Sequence, residues 1–184
     1  LVLSHDEVVH LKCSMIEKMP GSYEEKFKNL MAGYAFMTGH PGKKLLFMGQ
    51  DFGQHREWSE ERELDWFLLE KEPNHQLQLF VKELLHLYKS NKCLYEYDCW
   101  PEGFEWINAD DGDRSIFSFV RHSASGKNNM LFVINFTPVE RPDYRVGTTC
   151  RRKHTLVLNS DDKKFGGKGK RRPKEYKPVK KECD

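Results

Sequence analysis

Apolar positions in the first ninety residues fall into two kinds of pattern, short unbroken runs and helical stripes. Leu1-Val2-Leu3 is a continuous apolar run that gives way at once to Ser4-His5-Asp6-Glu7, the pattern of a fully buried strand ending in a polar turn. Ser22 with Glu25 forms a capping box, and Phe27, Leu30, Met31, Tyr34 and Ala35 recur behind it at helical spacing until Gly39, Pro41 and Gly42 stop the helix. Lys44 to Gly49 is a second apolar run, bounded by turn residues and too short for a helix, and predicts another buried parallel strand. After a long polar connection from Gln50 to Pro73, Asn74 is placed to cap a second helix with the stripe Leu77, Phe80, Val81, Leu84, Leu85 and Tyr88. Residues 1–92 thus read as two consecutive βα units.

From residue 93 the texture changes. Phe104 to Ile107, Ser115 to Arg121 and Met130 to Phe136 are β-type runs separated by Asp110-Asp111-Gly112-Asp113 and Ser125-Gly126-Lys127, which predicts an antiparallel meander. Weaker strands are expected around Tyr144 and at Thr155 to Leu158, and Phe165 to Lys174 reads as a Gly- and Lys-rich loop. Trp100, Phe104 and Trp106 are expected in the core of this all-β part. Two βα units cannot cover both faces of a parallel sheet or close a barrel, so the pattern predicts that something upstream of this chain is missing. Left alone, its open strand edges would invite aggregation.

Composition narrows the class. No stretch of about 18 apolar residues is present to span a bilayer, no membrane partner is expected, and the five scattered cysteines lack zinc-type spacing, which together predict a cytoplasmic chain with free thiols. The chain begins inside an apolar run without methionine and ends at Glu182-Cys183-Asp184, so truncation at both ends is expected. Lys and Arg crowd between Arg151 and Lys181. Because no aromatic side chains interleave them for base stacking, a solvated basic loop is expected and no nucleic-acid partner.

On spacing alone, Ser4-His5-Asp6-Glu7 offers an imidazole and two carboxylates at the end of a buried strand, where barrel enzymes keep their chemistry, but polar residues at a strand end are more often turn-formers. His5, Glu7 and His10 do not make a zinc motif, since the histidines are five apart and the glutamate is misplaced. Gly166-Gly167-Lys168-Gly169 lacks the strand, spacing and helix of a phosphate loop. Neither a metal nor another cofactor is expected.

A series of segments then carries a resemblance. Leu3 to His10, Met19-Pro20-Gly21, Pro41 to Gly49, Arg56-Glu57-Trp58, Leu64-Asp65-Trp66, Gly103 to Trp106 and Asn135 to Val139 resemble, in order, the glycogen branching enzymes of the α-amylase superfamily. The resemblance implies an α/β plus all-β architecture: the last two βα units of a TIM-type (β/α)8 barrel over 1–92, followed by an incomplete antiparallel β-sandwich domain over 93–184. It implies α-glucan as substrate, Asp6 as a carboxylate stabilising the transition state, and His5 as its neighbour on the glucosyl unit. The nucleophile and the acid/base group would lie outside this chain, which alone should be inactive. Trp58, Arg56 and Glu7 are expected to meet sugar. Trp66 could face sugar or plug the barrel end, and Asp51 stands where a longer acid is expected. The alternatives are a glucan-binding module without chemistry and a hydrolase or debranching relative; oligomeric state is not legible.

Overall fold

The computed structural model describes residues 3–183. Of the predicted first strand, Leu1 and Val2 lie outside the described residues; Leu3 forms a single parallel bridge with Leu46. That bridge joins the two predicted strands side by side in the expected parallel sense, although neither extends into a continuous ladder among the described residues.

Helix α1 spans Tyr23–Gly39 and opens with the predicted capping box: Ser22 Oγ accepts from the Glu25 amide, and Glu25 Oε2 accepts from the Ser22 amide at 2.7 Å. Helix α2 spans Glu72–Ser90, starting three residues earlier than a cap at Asn74 implied, with Pro73 in its first turn. Asn74 is therefore no cap. It is fully buried inside the helix, and its Nδ2 donates to the carbonyls of Phe52 (2.7 Å) and Gly53 (3.2 Å), tying α2 to the turn after the Leu46 bridge. Leu85, predicted for the stripe, is mostly exposed.

Strands β1 (Phe104–Asp111), β2 (Ile116–Arg121) and β3 (Met130–Asn135) form the predicted antiparallel meander in the order β1-β2-β3. The β2–β3 register runs unbroken from Ile116↔Asn135 to Arg121↔Met130, whereas β1 slips between Trp106 and Asn108 and again before Asp111. The strand expected near Tyr144 is absent, and that at Thr155 shrinks to β4 (His154–Thr155), paired antiparallel with β5 (Glu175–Tyr176).

Two apolar clusters meet on α1. One face of the helix (Phe27, Leu30, Met31, Tyr34, Met37) packs on Leu77, Phe80, Val81 and Leu84 of α2; the other (Ala32, Ala35, Phe36) packs on Cys93, Leu94, Phe119, Phe132 and Ile134. Ala35 touches both. Gly39 is the point of closest approach to the sheet: a Cβ there would lie 2.8 Å from the rings of Phe119 and Phe132. Residues 166–174 run without helix or strand, as expected of a loop, but the Phe165 ring at its start is buried in the helical cluster, 5.1 Å from that of Phe80. An aromatic residue amid glycines and lysines is held there by burial of its own apolar surface, which loop composition does not foretell. Trp100 is corrected: it is 64% exposed rather than core, and Trp106 is 41% exposed, with ring contacts to Phe36, His40, Phe104 and Phe119. All five cysteines are free. The basic segment is laced to acids by Glu140–Lys170, Glu175–Lys153 and Glu83–Lys164.

Candidate active site

Immediately after Leu3 the chain turns through a short 3-10 segment, His5–Glu7. Ser4 organises it. Its Oγ accepts from the Asp6 amide at 3.4 Å and donates to Asp6 Oδ2 at 3.2 Å. The other carboxylate oxygen, Oδ1, lies 3.1 Å from His5 Nε2. The side chains of Asp6 and His5 are 68% and 55% exposed, so the acid is oriented by its neighbours yet open to an incoming ligand. Two ammonium groups hold the turn from behind: Lys12 Nζ donates to the Asp6 carbonyl at 2.9 Å, and Lys18 Nζ contacts Glu7 at both its carbonyl and Oε2.

Three aromatic rings extend from this turn. His5 lies 5.9 Å from Phe47, next to the bridging Leu46, and Phe47 meets Trp58 edge-on at 5.1 Å. The Trp58 amide donates to the carbonyl of Val8 at 3.1 Å, which ties the later segment to the chain just beyond Asp6. Asp6, His5 and Trp58, chosen from distant parts of the sequence, are thus brought to one region.

Arg56 and Glu7 have protein partners of their own. The Arg56 guanidinium grips Asp65 through Nε–Oδ2 at 2.8 Å and Nη2–Oδ1, and this pairing holds the Asp65 carboxyl below the usual carboxylate range. Half of the Arg56 side chain remains in solvent while Asp65 is nearly covered. Glu7 pairs with Lys18 at 3.3 Å. Asp51 accepts from Gln78 Nε2, and Trp66 is 53% exposed with one side against Phe52.

Sequence reasoning overlooked the polar residues that brace this region. Gln54 accepts from the Asp65 amide and donates to the Arg56 carbonyl, while Gln50 accepts from the Phe47 amide and, at its carbonyl, from the Tyr34 hydroxyl. Glu57 accepts from the amides of Leu11 and Cys13. None of these shows in a hydrophobic pattern; the only hint was that glutamines and an acid crowd a segment too polar to pack itself. No group of three or more His, Cys, Asp or Glu converges as a metal centre among the described residues. No helix there is long and apolar enough to cross a membrane. A cleft of about 710 Å³ between α1, the end of β3 and the basic segment contains none of the predicted site residues.

Residues 106–183 match the family described as the alpha amylase C-terminal all-beta domain. The motif series ahead of it points the same way, toward the α-amylase superfamily. Over its full length the chain is similar to enzymes named 1,4-alpha-glucan branching enzymes. It is 55% identical over 184 residues, all of this chain, to the 1,4-alpha-glucan branching enzyme GlgB of Butyrivibrio fibrisolvens, covering 29% of that relative. To the enzymes so named in Aquifex aeolicus and Pseudomonas putida it is 51% and 49% identical over 92% and 91% of the chain, covering 27% and 23% of each. The chain therefore spans roughly a quarter of the length of the curated relatives it matches.

Proposed function

We propose that the chain is the part of a 1,4-α-glucan branching enzyme that supplies one of its active-site carboxylates, Asp6, with His5 beside it. In this reading residues 1–92 contribute the last two βα units of a (β/α)8 barrel and the remainder contributes its all-β domain. The observation that carries it is the Leu3–Leu46 parallel bridge: Asp6 follows one bridged segment by three residues and Phe47 follows the other by one, so both stand at the same end of adjacent parallel strands. That is the end at which parallel barrels keep their active sites.

The chemistry assigns Asp6 a limited task. Retaining glycosyl transfer needs one carboxylate to form the glycosyl-enzyme and another to protonate the leaving oxygen, about 5–5.5 Å apart. Asp6 is flanked by His5 and Ser4, and the neighbouring carboxylate, Glu7, is paired with Lys18. Its task is to accept sugar hydroxyl protons and to stabilise positive charge as the oxocarbenium-like state develops. The covalent glucan then passes to a 6-hydroxyl of another chain. Trp58 offers its ring as a platform for a sugar face, and Arg56 offers the donors that Asp65 leaves free.

The purified 184-residue chain should retard in affinity electrophoresis through glycogen and should leave the iodine absorbance of amylose unchanged. Branching by this chain alone would contradict the reading. A second reading, a glucan-binding module without chemistry, draws on the exposed rings of Trp66 and Trp100. Their replacement by alanine should leave retardation intact if binding centres on Trp58.

A further inference from the structure

We propose that Glu57 is a positioning residue for Asp6, acting through the turn between residues 8 and 13. The inference rests on the role given to Asp6 above. Glu57 Oε2 accepts from the Leu11 amide at 3.1 Å and Oε1 from the Cys13 amide at 2.7 Å, one on each side of Lys12. Lys12 Nζ in turn donates to the carbonyl of Asp6 at 2.9 Å. Glu57 is therefore one residue removed from the group that holds the Asp6 backbone.

The turn has a reason to need this carboxylate. His10, Leu11 and Cys13 sit at φ values of 59°, 64° and 66°, the left-handed region that non-glycine residues adopt only when the surroundings impose it. Burial does not impose it at the tip, because Leu11 is 95% exposed and His10 and Cys13 are exposed too; apolar anchoring ends at Val8 and Val9 on one side and resumes at Ile16 on the other. Left-handed backbone turns its N–H groups inward to make a concave anion site, and here the anion is the chain's own Glu57. Glu57 is itself fixed: the Trp58 amide donates to Val8 and Arg62 Nη2 donates to the Glu57 carbonyl at 2.9 Å. The same carboxylate thus joins the strand-end turn bearing Asp6 to the segment bearing Trp58.

The test uses the protein expressed from its complete gene, with glucan branching followed by iodine absorbance. Glu57→Gln removes one acceptor from the pair and should lower kcat by about 10- to 100-fold with KM changed less than about threefold, the pattern of a displaced transition-state group. Glu57→Asp, which keeps two oxygens on a shorter arm, should recover part of that loss. In the 184-residue chain, hydrogen exchange at the Leu11 and Cys13 amides should accelerate in Glu57→Gln while exchange in α1 stays the same. Wild-type kcat in Glu57→Gln, or unchanged exchange at both amides, overturns the proposal; so does a loss confined to KM. Should Glu57→Gln fail to fold, the exchange and kcat of Glu57→Asp decide by the same criteria. Asp6→Asn separates the two ideas: full kcat in that variant removes the role of Asp6 itself, whereas lost kcat there with an unaffected Glu57→Gln removes only the positioning.

Discussion

Two arginine–aspartate pairs mark the two halves of the molecule, and they differ in what surrounds them. Arg121 on β2 is wholly buried: its Nη2 meets Asp98 at 2.8 Å, its Nε the Gly103 carbonyl and its Nη1 the Gly39 carbonyl at the end of α1. Arg56 spends both Nε and Nη2 on Asp65, where Arg121 gives Asp98 one nitrogen, and half of the Arg56 side chain stays in water. The buried guanidinium has every direction filled by protein and acts as a rivet between sheet and helix. The exposed one is braced by Asp65 on one side and open to solvent on the other.

The sharpest way to break this comparison is Arg121→Met. It strands Asp98 as a buried charge and frees two carbonyls, and should cost about 3–5 kcal/mol in urea unfolding; a loss below about 1 kcal/mol would make the two pairs equivalent. Phe165→Ala follows, with an expected loss of about 3 kcal/mol, because its ring closes the cluster between α1 and α2. A negligible loss would return residues 165–174 to the status of a free loop.

The ends of the two regions were unequally legible. Capping chemistry and the 3.6-residue stripe announced α1, and turn residues announced the β1-β2-β3 meander, because each depends on local sequence. Asn74 was misread because a polar residue before an apolar stripe serves equally as a cap or as a buried tie, and only the turn at Phe52 and Gly53 decides between them. Asp6, His5 and Trp58 became candidates through resemblance rather than periodicity. Glu57 escaped because its partners are backbone amides more than forty residues away, and amides leave no trace in composition.

Lys44 tests the hinge between the halves with a smaller effect. Burial lowers its ammonium from the usual 10.5 to about 8, beside the Gly42 carbonyl and the Tyr88 ring. The unfolded chain keeps this proton up to its ordinary value while the folded chain releases it near 8. The destabilisation is therefore full below about pH 8 and is relieved as pH rises toward about 10. Over that interval wild type should gain stability relative to Lys44→Met, read from denaturation midpoints; parallel curves would show that Lys44 is not a buried cation. Arg56→Ala should move the midpoint least of all while weakening retardation on glycogen. Unchanged retardation would leave Arg56 with Asp65 alone.

The measurement that reaches the account most directly is the kcat of Asp6→Asn in the protein from the complete gene, taken with its affinity for glycogen. The exchange removes a negative charge without changing shape. The expected kcat is lower by about 10²–10³-fold or more with glycogen still bound, as when a group aimed at developing charge is neutralised. Branching at the wild-type rate by Asp6→Asn would contradict that expectation.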